Sequence, residues 1–308
     1  MAGTAPFAYV ANNRSHNVSV IDTATNTVVA TVPVDGAPIG IAVTPDGKRV
    51  FIAIRAQAQN TGLVSVLDAA NNTVVATESV TDFFIGGIAI TPDGKQAYVA
   101  CDDNPVSVID TATNKVVATI PQRDSIDLAF SPDGKHAYVT DFNGVTVIDT
   151  TAQKVQTTIP IAKTQGTVGR GIAITPDGKQ AYLTNGDTNN VSVIDTATNT
   201  VSATVVVGVD PVGVAVTPDG KRAYVANHGS NDVSVINTAT NAPAATVGVG
   251  TAPVGVATAA DGKHVYVANE DSGTVSVIDT ATNTVAATVS VGDHPFAIGI
   301  IRPAPITR

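Results

Sequence analysis

Short runs of Val, Ile, Ala and Tyr follow one another along the whole chain, each ended by Gly, Pro, Asp or Asn. One stretch shows the pattern. Pro38-Ile-Gly-Ile-Ala-Val-Thr44 is apolar, Pro45-Asp-Gly-Lys48 is a turn, and Arg49 to Ile54 is apolar again. Val64 to Asp68 and Thr73 to Thr77 follow, with Asp-Ala-Ala-Asn-Asn between them. Periodicity alone would admit short buried helices. The shortness of the runs, their β-branched residues and the Gly/Asp punctuation predict four strands. In the turns Pro presets φ, Gly takes the left-handed position, and Asp or Asn bonds the local backbone. Continuous apolar runs, rather than strict alternation, predict sheets covered on both faces.

This unit repeats. Val18-Ser-Val-Ile-Asp-Thr-Ala-Thr-Asn-Thr-Val28 returns in close form from Val64, Val106, Val145, Val191, Val233 and Val275, at steps of 39 to 46 residues. The Pro-Asp-Gly-Lys turn recurs at Pro45, Pro92, Pro132, Pro176 and Pro218, and as Ala-Asp-Gly-Lys at Ala260. A strand-forming repeat of that period predicts a β-propeller with one four-stranded antiparallel blade per repeat. The small residues of the first strand suit a crowded ring axis. The chain starts on a second strand, Phe7 to Asn12, and finishes on a first strand, His294 to Ile300. The expected architecture is therefore all-β: a seven-bladed β-propeller, residues 1–308 as one domain, its closing blade shared by 1–35 and 293–302. The C-terminus supplies the inner strand of that blade and the N-terminus its outer three, which removes a free sheet edge.

Composition narrows function chiefly by exclusion. The net charge is −9 and there is no run of Lys or Arg. That argues against nucleic acid and against an anionic membrane surface. No apolar stretch approaches the roughly 20 residues of a membrane span. The single Cys101 excludes an internal disulfide. The start, MAGTAPFAYVANN, lacks the basic region and apolar core of a signal peptide, so the chain as given reads as cytoplasmic, or as extracytoplasmic or cell-surface if a leader was removed. A monomer is expected. There is no Gly-x-Ser-x-Gly elbow, P-loop, CxxC or HExxH.

Tyr9-Val-Ala-Asn12, Tyr224-Val-Ala-Asn227 and Tyr266-Val-Ala-Asn269, with the variants Tyr182-Leu-Thr-Asn185 and Tyr138-Val-Thr-Asp141, resemble the YVTN-family β-propeller repeat. The Pro-Asp-Gly-Lys and Val-Ile-Asp-Thr-Ala-Thr-Asn segments agree with it. The resemblance covers nearly the whole chain. It implies the propeller fold and kinship with surface-layer and YncE-like propellers, and it implies no single activity.

Comparing the copies with one another locates candidate chemistry. The Pro-Asp-Gly-Lys and Asp-Thr-Ala-Thr-Asn turns share one face of the ring. The second-to-third-strand and blade-to-blade connections share the other, and both length changes fall there, in 46–64 and 145–177. The unusual residues fall there too. Before the inner strand most copies read like Ala37-Pro-Ile-Gly40. The departures are Phe83-Phe84, Arg123-Asp124-Ser-Ile-Asp127, Val168-Gly-Arg170-Gly171 and Asp293-His294-Pro-Phe296. Asp127 stands where Gly is usual at the channel mouth. In the Asn12 column the departures are Ile54-Arg55, Cys101-Asp102-Asp103 and Asp141-Phe142.

Blade geometry does not require Arg or Asp at such places. Rigid scaffolds carry function on loops, and sites favour concave mouths with a few convergent polar groups. The expected ligand-binding residues are Arg55, Arg123, Asp124, Asp127, Asp141, Arg170 and His294, for a protein, a glycan or a small anionic ligand. The competing expectation is internal pairing of Arg123 and Arg170 with Asp124, Asp127 or Asp141. An enzyme, a lyase, hydrolase or isomerase, would use Arg123 and Arg170 to hold an anion, Asp127 or Asp141 as base and His294 as acid or base. No cofactor is predicted. His228, Glu270 and His294 lie in neighbouring blades on this face, and imidazole plus carboxylate can hold a divalent metal.

Overall fold

The structure, a computed structural model, describes residues 7–56, 61–80, 84–142, 144–161 and 170–301. Among them 28 strands pair into seven four-stranded antiparallel sheets, the blades. No α-helix occurs among the described residues, so no helix is long and apolar enough to cross a membrane. We number the blades 1 to 7 by their inner strands, Ala37–Val43, Ile85–Ile90, Leu128–Phe130, Ile172–Ile174, Pro211–Val216, Pro253–Thr258 and Pro295–Ile300. Blade 7 closes the ring as its repeat pattern predicts: Pro295–Ile300 pairs with Phe7–Asn12, Ala8 opposite Ile300 and Ala11 opposite Ala297.

Each second strand is buried on both faces, blade against blade. Tyr9, Tyr98, Tyr182, Tyr224 and Tyr266 are among the largest fully buried side chains. Four of these hydroxyls also tie neighbouring blades. Tyr9 Oη donates to Asn72 Oδ1 (2.9 Å), Tyr182 Oη to Asn241 Oδ1 (2.6 Å), Tyr224 Oη to Asn283 Oδ1 (2.9 Å) and Tyr266 Oη to Asn26 Oδ1 (3.1 Å). These asparagines hold the left-handed turn position, φ 51° to 56°, so one residue type both turns the chain and accepts the staple. Blade 1 has Phe51 in place of Tyr, and Arg49 Nη1 instead reaches Thr111 O (2.8 Å) and Asn114 Oδ1 (3.2 Å) in blade 2.

The Pro-Asp-Gly-Lys turns form one repeated network. In blade 5, Thr217 Oγ1 donates to Asp219 Oδ1 (2.6 Å) and accepts the Arg222 N–H (3.2 Å), while Lys221 N donates to the same Asp219 oxygen (3.0 Å). At the opposite end of the second strand, Asn227 Nδ2 donates to Asp232 Oδ1 (2.6 Å) and Ser234 Oγ (2.9 Å). Asn12, Asn185 and Asn269 make the matching pair of bonds.

Blades 3 and 4 depart from the others. Their inner strands have three residues each, against six or seven elsewhere, and start one residue after Asp127 and two after Arg170. Blade 1 departs differently. Its second and third strands, Arg49–Ala56 and Thr61–Asp68, run beyond the expected limits, so Arg55 lies within a strand, opposite Ala37 and Gly62. Phe83, Val168 and the longest parts of the two length changes, 57–60 and 162–169, lie outside the described residues.

Candidate functional site

The inner strands converge on a channel whose mouth opens into a cavity of about 450 Å³. Most of its wall is the Gly, Ile and Val of those strands. Among the described residues, five charged or titratable side chains break that wall: Arg55, Asp127, Arg170, His228 and Glu270. Two columns of the repeat explain how all but Asp127 arrive there.

The first column lies on the inner wall. Ile39, Gly86, Ile126, Val212, Val254 and Phe296 occupy it in six blades, and Arg170 occupies it in blade 4; all seven line the cavity. A guanidinium thus stands where the scaffold otherwise carries an apolar group or none. The second column is the residue after the Asn12-type position, and reads Asn13, Arg55, Asp102, Phe142, Gly186, His228 and Glu270 around the ring. Seven equivalent places hold seven different residues.

Across blades 4 to 6 the charged groups form an arc. Arg170 Nη1 lies 3.2 Å from Asp210 Oδ1 and donates to Oδ2 at 3.5 Å. Asp210 Oδ2 is 3.4 Å from His228 Nδ1, and His228 Nε2 is 3.7 Å from Glu270 Oε2. Main-chain bonds fix the frame: His228 N donates to Asp210 O (2.9 Å) and Arg170 N to Thr184 O (3.1 Å). Gly186 makes the room. A Cβ there would stand 2.8 Å from Asp210 Oδ1 and 3.2 Å from Arg170 Nε. Such a half-exposed ion pair contributes about 0.2–1 kcal/mol to stability, which does not account for the arrangement.

Asp127 is placed differently. Its Oδ2 accepts the Ile172 N–H of blade 4 (3.3 Å), two residues past Arg170. On its other side a Cβ at Gly87 would lie 2.2 Å from Asp127 Oδ1, so any other residue there would have to displace the carboxylate from its present place. Burial pushes the carboxyl up to about 6, against the lowering effect of the Leu128 and Ile172 N–H groups. On the blade 1 side, Arg55 donates to Ile85 O (3.3 and 3.4 Å) and its guanidinium lies 5.8 Å from the Phe84 ring centroid, a cation–π contact.

The other expected site residues lie elsewhere. Asp141 is 2% exposed. It fills the Asn column of blade 3, taking hydrogen bonds from Gln122 Nε2 (2.9 Å), Thr146 Oγ1 (2.9 Å) and Gly144 N (3.0 Å). It does not line the cavity, because side chains in this column turn back into their own blade. Arg123 is exposed and Asp124 half-buried, in the connection before the wall, and neither lines the cavity. His294 Nε2 faces Asp271 Oδ1 at 3.7 Å, also off the cavity wall. The expected pairing of Arg170 with Asp124, Asp127 or Asp141 is replaced by pairing with Asp210, which the sequence comparison had missed. Its signal was present: Asp210 precedes Pro211 where Ala37 and Ala252 stand in other blades. Among the described residues no three His, Cys, Asp or Glu side chains gather as metal ligands. His228 faces Asp210 and Glu270, while His294 faces Asp271.

The chain is a seven-bladed β-propeller whose channel mouth is charged on an otherwise apolar wall. Residues 198–293 match the family described as Lactonase, 7-bladed beta-propeller, a stretch running from the outer strand of blade 4 through blade 6. No curated protein matches the chain. Among solved structures it is similar to one described as Kuenenia stuttgartiensis hydrazine synthase, at 27% identity and TM-score 0.82 over 91% of this chain and 97% of that one. A functionally unknown protein from Desulfotomaculum acetoxidans DSM 771 superposes at 20% identity and TM-score 0.80, over 96% and 99% of the two chains. Dihydro-heme d1 dehydrogenase NirN in complex with DHE does so at 17% identity and TM-score 0.71, over 97% of this chain and 75% of that one. These last two likenesses speak for the fold alone.

Proposed function

We propose that this propeller binds a small anionic organic ligand at the channel mouth, with Arg170 as the principal anchor. The observation that carries the reading is the placement of Arg170 on the inner wall, where the six other blades have Ile, Gly, Val or Phe. Asp210 takes one edge of the guanidinium, and a guanidinium has five N–H donors in a planar fork suited to carboxylate or phosphate. The apolar wall below it takes the ligand body, as concave sites commonly do. The YVTN and YncE-like resemblance is compatible with such a binding propeller. The test is calorimetric titration of small carboxylates and phosphates into the wild type and Arg170→Ala. Binding that Arg170→Ala weakens about tenfold or more supports the reading. Anion binding unchanged in that variant, or none in the wild type, refutes it.

A hydrolytic reading has one observation in its favour: the stretch similar to the Lactonase family contains Asp210, His228 and Glu270. Opening a cyclic ester would have water add to the carbonyl carbon while a base takes its proton, and the ring oxygen then leaves with a proton. His228 would be that base. Both its ring nitrogens face carboxylates here, so Glu270 would first have to swing aside. That requirement places binding first. Release of acid from simple lactones, followed at constant pH in the wild type and in His228→Asn, decides between the two.

A further inference from the structure

We propose, resting on that reading of the site, that the ligand is a zwitterion: its carboxylate is held by Arg170 and its ammonium group by Asp127. Asp127 is the one acidic residue in a column that reads Gly40, Gly87, Gly171, Gly213, Gly255 and Ala297 in the other blades. A carboxylate on an apolar wall is costly unless something there uses it. Among the described residues no Lys, Arg or His pairs with it, in contrast to Asp210 and Asp271, which face Arg170, His228 and His294. Two backbone N–H groups satisfy part of its accepting capacity, and an ionised carboxylate has about four acceptor sites. The remainder is available to a donor in the cavity.

The position is also built around. Gly87 leaves the space that the Asp127 carboxylate fills, and Gly186 leaves the space that the Arg170–Asp210 pair fills. Ile172 N–H, on the strand that follows Arg170, fixes the Asp127 carboxylate. A cation site and an anion site therefore share one cavity wall, on the adjoining blades 3 and 4. Ile88, Leu128 and Ile172 line the same cavity and supply apolar contact for a short carbon chain. The other charged groups on the wall, Arg55, His228 and Glu270, lie on blades 1, 5 and 6.

The experiment is calorimetric titration of the whole chain at pH 7.5 and low salt. The probes are the unbranched ω-amino acids from glycine to 6-aminohexanoate, each with the carboxylate of equal length that lacks the amine. Wild type, Asp127→Gly and Arg170→Ala are compared. Asp127→Gly installs the residue most other blades carry, and its melting curve reports that the ring is intact. At least one amino acid is expected to bind the wild type about tenfold or more tightly than its carboxylate partner. Asp127→Gly should erase that advantage while binding the carboxylate at least as tightly as the wild type does, and Arg170→Ala should weaken both. Amino acids no tighter than their partners, or an advantage that survives in Asp127→Gly, overturn the proposal. If the carboxylates still bind and still need Arg170, the anion site stands and only the zwitterion fails. If nothing binds, both fail.

Discussion

The two faces of the ring are built on opposite terms. On the turn face the same bonds recur from blade to blade: Thr44, Thr91, Ser131, Thr175 and Thr217 each donate to the Asp two residues on. On the mouth face, the residue after the Asn column differs in every blade. The first face closes strands and ties blades, so every copy has the same work. On the second face the repeated bonds are made by the Asn column, and the position after it carries no bond that every blade needs. Substitutions on the two faces should therefore read out differently, in stability on one and in binding on the other.

The largest stability effect belongs to the scaffold. Tyr182→Ala removes a fully buried ring and its bond to Asn241, and should cost about 3–5 kcal/mol, seen as a lower urea midpoint with ligand affinity per folded molecule unchanged. Thr217→Val keeps the shape and removes the hydroxyl that holds Asp219 and the Arg222 N–H, for about 1–3 kcal/mol by the same measurement. A loss below about 0.5 kcal/mol there would break the contrast between the faces.

Titration separates the faces by sign. Hydroxyl hydrogen bonds from the preceding Thr or Ser hold Asp93, Asp133, Asp177 and Asp219 below the usual carboxylate range. Their contribution is full above the ordinary carboxylate pKa and is lost as pH falls through their lowered values. Asp127 runs the other way. Its folded value near 6 exceeds the ordinary one, so the folded state binds the proton more tightly and stability is lost as pH rises from about 4 to 6. Above pH 6, Asp127→Gly should be the more stable chain, by about 1–2 kcal/mol once solvent screening at a partly exposed group is included, and the gap should close below pH 4. Paired urea titrations at pH 7.5 and 4 measure it. A constant gap would mean that Asp127 does not titrate in this range. The smallest effect is at the mouth. His228→Asn copies what blade 7 has at Asn13 and should change stability by less than about 0.5 kcal/mol, within the range of an ordinary surface substitution.

Much of the scaffold was legible because its rules are local. Pro45-Asp-Gly-Lys48 specifies a turn within four residues, and Gly47 takes φ 69° as that turn demands. The site was legible only as a set of departures. Asp127 and Asp141 looked alike in that respect, each an Asp replacing a standard residue on the same face. One lies on the channel wall and the other is buried against Thr146. Asp210 does not stand out in the sequence, because an Asp before Pro211 is unexceptional in a turn-rich chain. Its significance comes from Arg170, forty residues earlier, which reaches it across the boundary between two blades.

The sequence by itself determined the seven-bladed ring, the strand order within each blade and the closure of blade 7 by the two ends of the chain. Period, turn residues and apolar runs act over short separations, and repetition multiplies their signal. Only the tertiary structure decided which departures meet. Arg170, Asp210, His228 and Glu270 come from three blades and become neighbours because the ring brings blade ends together around the channel. Whether a side chain faces that channel or its own blade depends on where its strand begins and how adjacent strands pack. The glycines at 87 and 186 acquire their meaning only when the neighbouring blade is in place.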